Sequence, residues 1–234
     1  MIRSLIRGGA IQLDRLLGVR AFLRAGEDPR RDPLAGDRAI EWSWVVTHLP
    51  PQPSRILDLG CVGSALTGIA SRIGHVVTAL DLREIEYEMP RVTFIKCDAI
   101  TAEFGSKAFD AIINCSMIEH VGIPDRYGSG ELLDGDLRLM QRMRTLLADH
   151  GKMILTVPVG RDGTYPPFHR IYGERRLPCL LSEYNVIQDE YWLKGVHGKW
   201  KRCAKASALA NEGSWESYAL GLFILGARDN AEKS

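Results

Sequence analysis

From Ser54 onward the chain alternates short apolar runs with stretches of helical periodicity, and this alternation limits the fold more than any other feature. Arg55-Ile56-Leu57-Asp58-Leu59 has the length and content of a buried strand. Gly60-Cys61-Val62-Gly63-Ser64 reads as a tight turn, and residues 65–73 as a helix stopped by Gly74. Residues 75–81, 92–96 and 109–114 are further strands. Residues 136–149 are predicted as a helix, with Leu137, Met140, Met143 and Leu147 on one side and Gly151 placed to end it. A fifth strand covers 152–158. Residues 184–192 and 218–226 form a closing pair that suggests an antiparallel edge, and 193–217 between them read as a basic loop and a short helix. Apolar strands separated by helices imply an α/β fold with a mainly parallel sheet covered on both faces. Such sheets bind ligands at the carboxyl ends of their strands. Asp58, Asp81, Asp98 and residues 114–116 are therefore expected on one rim.

Composition narrows the class. The chain has 234 residues, 45% of them hydrophobic, which argues against a disordered or fibrous protein. The formal net charge of +1 argues against a dedicated nucleic-acid binder. No apolar run approaches the roughly 18 residues of a membrane span, and arginines interrupt the first residues too often for a signal-peptide core. Cys61, Cys97, Cys115, Cys179 and Cys203 form no CxxC pair, so reduced thiols in a cytoplasmic protein are the expectation.

Charge is unevenly distributed. Residues 1–31 hold seven arginines and three acids, a net +4, which leaves −3 for the remainder. Ile2, Leu5, Ile6, Leu13, Leu16 and Leu17 fall near one helical face. Such a helix over residues 1–24 could lie on an anionic membrane, cover the domain's own core or form a dimer interface. After a proline-containing connector, a second helix is predicted over 34–49, with Ile40, Trp44 and Val45 inward. Residues 1–50 are expected to be a helical extension and 51–234 the main domain.

The rim residues suggest a ligand. The turn after the first strand lacks the GxGxxG spacing of a dinucleotide site, because Val62 stands where the second glycine belongs. Asp58, two residues before Gly60, suits an amine-bearing ligand better than a pyrophosphate. Asp81 can accept both hydroxyls of a ribose, and Asp98 can accept from an exocyclic adenine amine.

These residues resemble the class I S-adenosylmethionine-dependent methyltransferases. The matching stretches are Ile56-Leu57-Asp58-Leu59-Gly60-Cys61, Thr78-Ala79-Leu80-Asp81-Leu82-Arg83, Phe94-Ile95-Lys96-Cys97-Asp98-Ala99, Phe109-Asp110-Ala111-Ile112-Ile113-Asn114, Ile118-Glu119-His120-Val121 and residues 146–158. The resemblance implies a Rossmann-like seven-stranded sheet with an antiparallel last strand, and S-adenosylmethionine as cofactor. Asp58, Gly60 and Gly63, with Cys61, would line the methionine part. Asp81 and Leu82 would take the ribose, Asp98 and Ala99 the adenine, and Cys115 or Ser116 the sulfonium neighbourhood. The family's GxGxG loop is altered here, with Gly63 in place of a glycine at 62 or 64.

A narrower likeness, carried by Ser116-Met117-Ile118-Glu119-His120-Val121-Gly122, Pro158-Val159-Gly160 and His169-Arg170-Ile171-Tyr172-Gly173, is to methyltransferase-like proteins of glycan and natural-product biosynthesis. It implies a small-molecule acceptor, foremost a hydroxyl of a sugar or glycosylated metabolite. N- or C-methylation of a small natural product and a non-catalytic cofactor-binding module are the alternatives. No Asn-Pro-Pro-Tyr motif follows the fourth strand, which argues further against nucleic-acid acceptors. His120 is the candidate general base, with a structural hydrogen bond as its other role. Glu119, Tyr127, His169 and Tyr172 are candidates for the acceptor side, and the loop 122–135 for a lid. Glu119-His120 resembles part of a metal-binding pattern of quinone-pathway O-methyltransferases, but Ser116 stands where an acidic ligand is wanted, so no metal is expected.

Overall fold

The computed structural model describes residues 36–51, 53–85, 89–124, 127, 130–195 and 198–228. The basic helix expected over residues 1–24 lies outside them. The first described helix, α1 (Asp37–Thr47), is followed by β1 (Arg55–Leu59), α2 (Leu66–Arg72), β2 (Val76–Asp81), β3 (Val92–Lys96) and β4 (Phe109–Cys115). A 3₁₀ turn (Ile118–His120), α3 (Gly135–Leu146) and β5 (Leu147–Val159) come next. The chain closes through β6 (Gly163–Tyr165), β7 (His169–Ile171), α4 (Arg176–Leu180), β8 (Tyr184–Lys194), β9 (Trp200–Arg202), α5 (Lys205–Leu209) and β10 (Ala219–Ala227).

One sheet runs in the order β3-β2-β1-β4-β5-β10-β8-β9. The first five of these strands are mutually parallel, and β10 is antiparallel to both β5 and β8. The sheet has eight strands rather than the expected seven. The added strand is β9, which lies in the segment 193–217 read as a loop and short helix, and its Trp200 and Arg202 pair with Lys194 and Trp192 of β8. The last strand, β10, is antiparallel as expected and lies between β5 and β8, so the closing pair forms the antiparallel end of the sheet. A separate hairpin, β6–β7, was not expected. The predicted helix 136–149 ends at Leu146, because Leu147 turns extended, pairs with Phe109 and joins the core. Gly151 therefore lies within β5, where the pairing with β4 shifts register, and is not a helix cap.

Alternation along the strands feeds two cores. Leu57, Leu59, Ile112, Leu155 and Val157 pack on one face, with Leu139, Met140 and Met143 of α3. Ile56, Val77, Ala111, Ile113 and Ile154 pack on the other, with Ile40, Trp44 and Val45 of α1 and Leu66 and Ala70 of α2. Side chains two apart in a strand share a face, so Asp58 falls on the Ile56 side, against α2. The second predicted helix thus exists as α1 and is packed into the same core as the sheet.

Candidate active site

A cavity of about 270 Å³ opens at the carboxyl ends of β1, β2, β3 and β4. Asp58, Gly60, Gly63, Asp81, Leu82, Asp98, Ala99, Cys115, Ser116, His120 and Tyr127 all line it. The parallel strands bring residues 58 to 127 to one rim because every crossover returns the chain to the same end.

The turn after β1 is shaped by backbone requirements. Gly60 has φ +72, and a Cβ there would lie 2.6 Å from Met117 Cγ. The Gly60 N–H donates to the Leu80 carbonyl at 2.8 Å, which ties the turn to β2. Asp58 is buried, and Thr67 of α2 donates its hydroxyl to Oδ2 at 2.5 Å. Burial pushes the Asp58 carboxyl up to about 7, against the Thr67 hydrogen bond and with help from the nearby Asp81 charge.

Asp81 is crowded. Its Oδ1 accepts the Arg83 N–H at 2.9 Å and Nε at 3.1 Å, and its Oδ2 accepts the Val62 N–H at 2.9 Å and Arg83 Nη2 at 3.2 Å. Arg83 Nη2 also donates to the Val62 carbonyl at 2.7 Å, and the guanidinium lies 4.7 Å from the centre of the Tyr127 ring. Asp98 Oδ1 accepts the Ile100 N–H at 2.9 Å, so one oxygen shapes the turn after β3 while the other is left for a ligand.

His120 is held by the β6–β7 hairpin. Its Nδ1 is 2.7 Å from the Phe168 carbonyl, which can only accept, so Nδ1 carries the proton and Nε2 has the lone pair in the neutral ring. Glu119 Oε1 lies 3.7 Å from Nε2. Arg170 of β7 donates to the Val121 carbonyl at 2.5 Å, and Asn114 Oδ1 accepts the Ile118 N–H at 3.1 Å, so hairpin and strand together fix the turn that carries His120. Gly122 (φ +75) closes the base of the following loop, since a Cβ there would stand 2.2 Å from the Leu132 carbonyl oxygen. Gly130, Glu131 and Leu132 of that loop reach the cavity.

Four expected residues lie off the cavity wall. Cys61 is fully buried. Tyr172 is also fully buried, because its hydroxyl donates to Asp136 at 3.1 Å in a network with Arg176. His169 packs edge-on against Tyr218, ring centres 5.3 Å apart. Glu119 is buried beneath the 3₁₀ turn. Sequence reading missed Arg38 and Trp42, which line the cavity from α1. Their separation of four on a predicted helix was the available signal. It also missed Glu41, a fully buried carboxylate of α1 whose Oε1 accepts from Thr156 Oγ1 at 2.7 Å and from the Ser116 hydroxyl. Burial pushes the Glu41 carboxyl up, against the pull of Arg38.

Residues 65–193, more than half of the chain, match the family model described as "Caenorhabditis protein of unknown function, DUF268". The chain belongs to the DUF268 family. Among curated proteins, a ubiquinone biosynthesis O-methyltransferase of Xanthomonas axonopodis pv. citri is 29% identical over 113 residues, 42% of this chain and 45% of that protein. Another, of Nitrosococcus oceani, is 31% identical over 108 residues, 39% of this chain and 43% of that protein. The match spans less than half the length of these relatives. Among solved structures, the 1,6-didemethyltoxoflavin-N1-methyltransferase of Burkholderia thailandensis superposes with a TM-score of 0.54 at 18% identity, covering 90% of each chain. The N-methyltransferase NodS of Bradyrhizobium japonicum gives 0.55 at 14% identity, covering 89% of this chain and 98% of that one. The [4+2]-cyclase SpnF gives 0.56 at 14% identity, covering 80% and 79%. This member of DUF268 therefore has the Rossmann-like methyltransferase fold, which a cyclase shares. Among the described residues, no helix is long and apolar enough to cross a membrane, and no group of three or more His, Cys, Asp or Glu is arranged to hold a metal.

Proposed function

We propose that the chain is an S-adenosylmethionine-dependent methyltransferase acting on a small molecule. The observation that carries this reading is the gathering of Asp58, Asp81 and Asp98 around one cavity, above a glycine turn that leaves room for a ligand. The donor set fits the group. Asp58 lines the cavity and Thr67 holds its Oδ2, so its Oδ1 can take the amine. Arg38, which α1 brings to the cavity, can take the carboxylate of the same moiety. Asp81 can accept the ribose hydroxyls in exchange for the two bonds from the Arg83 side chain, and Asp98 can accept from the adenine amine. S-Adenosylmethionine supplies a methyl group on a good leaving group, so the protein's work is alignment and proton removal.

His120 is placed for the proton. Phe168 holds its Nδ1–H, so the neutral ring carries its lone pair on Nε2, and the Glu119 carboxylate 3.7 Å away would stabilise the imidazolium formed when Nε2 takes the proton of an acceptor hydroxyl. The likeness to ubiquinone biosynthesis O-methyltransferases supports a hydroxyl as the methylated group. The finer proposal remains a hydroxyl of a sugar or glycosylated metabolite, with Tyr127, Trp42 and Leu132 as apolar walls.

The test is transfer of labelled methyl from S-adenosylmethionine to panels of glycosides and phenols, with calorimetric titration of S-adenosylhomocysteine alongside. Binding that weakens at least tenfold in Asp81→Ala, with label on oxygen, is the expected result. Absence of binding at millimolar concentration overturns the cofactor reading, and label on nitrogen or carbon overturns O-methylation.

A further inference from the structure

We propose that Glu41 is a positioning residue that makes α1 part of the cofactor site, by holding Ser116 and Arg38 in their places on the cavity wall. This rests on the cofactor reading above and adds a residue to it.

Three elements send a donor to this one buried carboxylate. Arg38 Nη1 of α1 donates to Oε2 at 3.1 Å. Thr156 Oγ1 of β5 donates to Oε1 at 2.7 Å, and the Ser116 hydroxyl, just after β4, donates to the same oxygen. A hydroxyl has one proton, so with that proton on Glu41 the Thr156 oxygen is free to accept. It accepts the Ser116 N–H at 3.0 Å, which also lies 3.1 Å from the Thr156 carbonyl. Ser116 is thereby gripped at backbone and side chain by a pair that Glu41 orients.

Ser116 needs that grip. Its φ of +47 lies in the left-handed region, which a residue with a Cβ enters only at a cost. The bend turns the chain out of β4 and into the cavity wall, where Ser116 stands between Cys115 and Met117. Met117 in turn is the side chain that closes over Gly60. Arg38 is neutralised by Glu41 at one nitrogen, while its half-exposed guanidinium reaches the cavity with donors to spare.

Packing does not account for the carboxylate. A buried acid is costly to desolvate, and what offsets that cost here is the set of donors from Arg38, Thr156 and Ser116. Glu41 lies between Ile40 and Trp44, both in the apolar core, yet it is spent on polar contacts to three other side chains.

The experiment is calorimetric titration of S-adenosylhomocysteine into the full chain, Glu41→Ala, Glu41→Gln, Ser116→Ala and the two double variants with Ser116→Ala. Glu41→Ala is expected to weaken binding at least tenfold. Glu41→Gln, which keeps an acceptor for both hydroxyls, is expected to recover most of that loss. In the Ser116→Ala background the effect of Glu41→Ala is expected to shrink at least threefold. Affinity within twofold of the unaltered chain in Glu41→Ala overturns the inference alone. So does a loss that stays undiminished when Ser116 is already alanine, since a fold-wide defect would behave that way. If Glu41→Ala does not fold, Glu41→Gln, which loses only the Arg38 contact, and Ser116→Ala, which loses only the hydroxyl contact, are each expected to weaken binding about threefold; unchanged affinity in both overturns the inference. No binding by the unaltered chain overturns the cofactor reading and this inference together.

Discussion

Asp58 and His120 carry the sharpest expectations for single side chains. Burial and the Asp81 charge leave Asp58 with a pKa of about 7, so it is largely protonated below neutrality. An amine-bearing ligand prefers the ionised form. Affinity for S-adenosylhomocysteine should therefore fall as pH drops from 7 to 6, by up to about tenfold per unit, with a proton released on binding. Calorimetry in buffers of different ionisation enthalpy checks this, and Asp58→Asn should flatten the slope. The same shift acts in the other direction on the stability of the fold. A raised carboxyl pKa contributes stability below the ordinary carboxylate range, and that contribution is lost as pH rises through about 7. For His120→Gln, turnover should drop by about 10²-fold or more if Nε2 takes the acceptor proton. S-Adenosylhomocysteine affinity should stay within twofold, and full activity would leave His120 as the anchor of its turn through Phe168.

Among the elements, α1 contributes most beyond its expected role. It buries Ile40, Trp44 and Val45 in the core it shares with α2, β4 and β10 on one side and presents Arg38 and Trp42 to the cavity on another. Tyr218 of the β10 region ties it further, donating to Asp37 at 2.8 Å. Trp44→Ala should cost about 3–5 kcal/mol, as for other buried tryptophans, measured from the urea unfolding midpoint. It should also weaken S-adenosylhomocysteine binding, because α1 carries part of the site. The strands from β1 to β4 were legible as apolar runs with the acids at their ends, and so was α1 as a helix. The β6–β7 hairpin and β9 were not. Each is three residues long with no alternation to read, and each is a strand because of its partner: Thr164 opposite Arg170, Lys201 opposite Leu193. The early end of α3 was hidden for a similar reason, since Leu147 continues the helical apolar pattern but finds a better place beside Phe109.

For the molecule as a whole, ligand binding and folding are coupled, because the cavity is built from β1 to β4, α1 and the loop that starts at Gly122. S-Adenosylhomocysteine at one hundred times its Kd should stabilise the fold by about 2.7 kcal/mol. In a chain of this size that raises Tm by about 5–10 °C, which a thermal melt reads directly. The mainly parallel sheet and the rim of Asp58, Asp81 and Asp98 follow from the chain's own pattern. Apolar periodicity records which side chains are buried, and right-handed crossovers return each strand to the same end. Packing alone could show that Tyr172 is spent on Asp136, that Arg83 occupies Asp81, or that Glu41 reaches Thr156 across 115 residues of sequence. Those contacts join side chains from separate elements, and nothing in local periodicity encodes which polar group meets which once the elements close on one another.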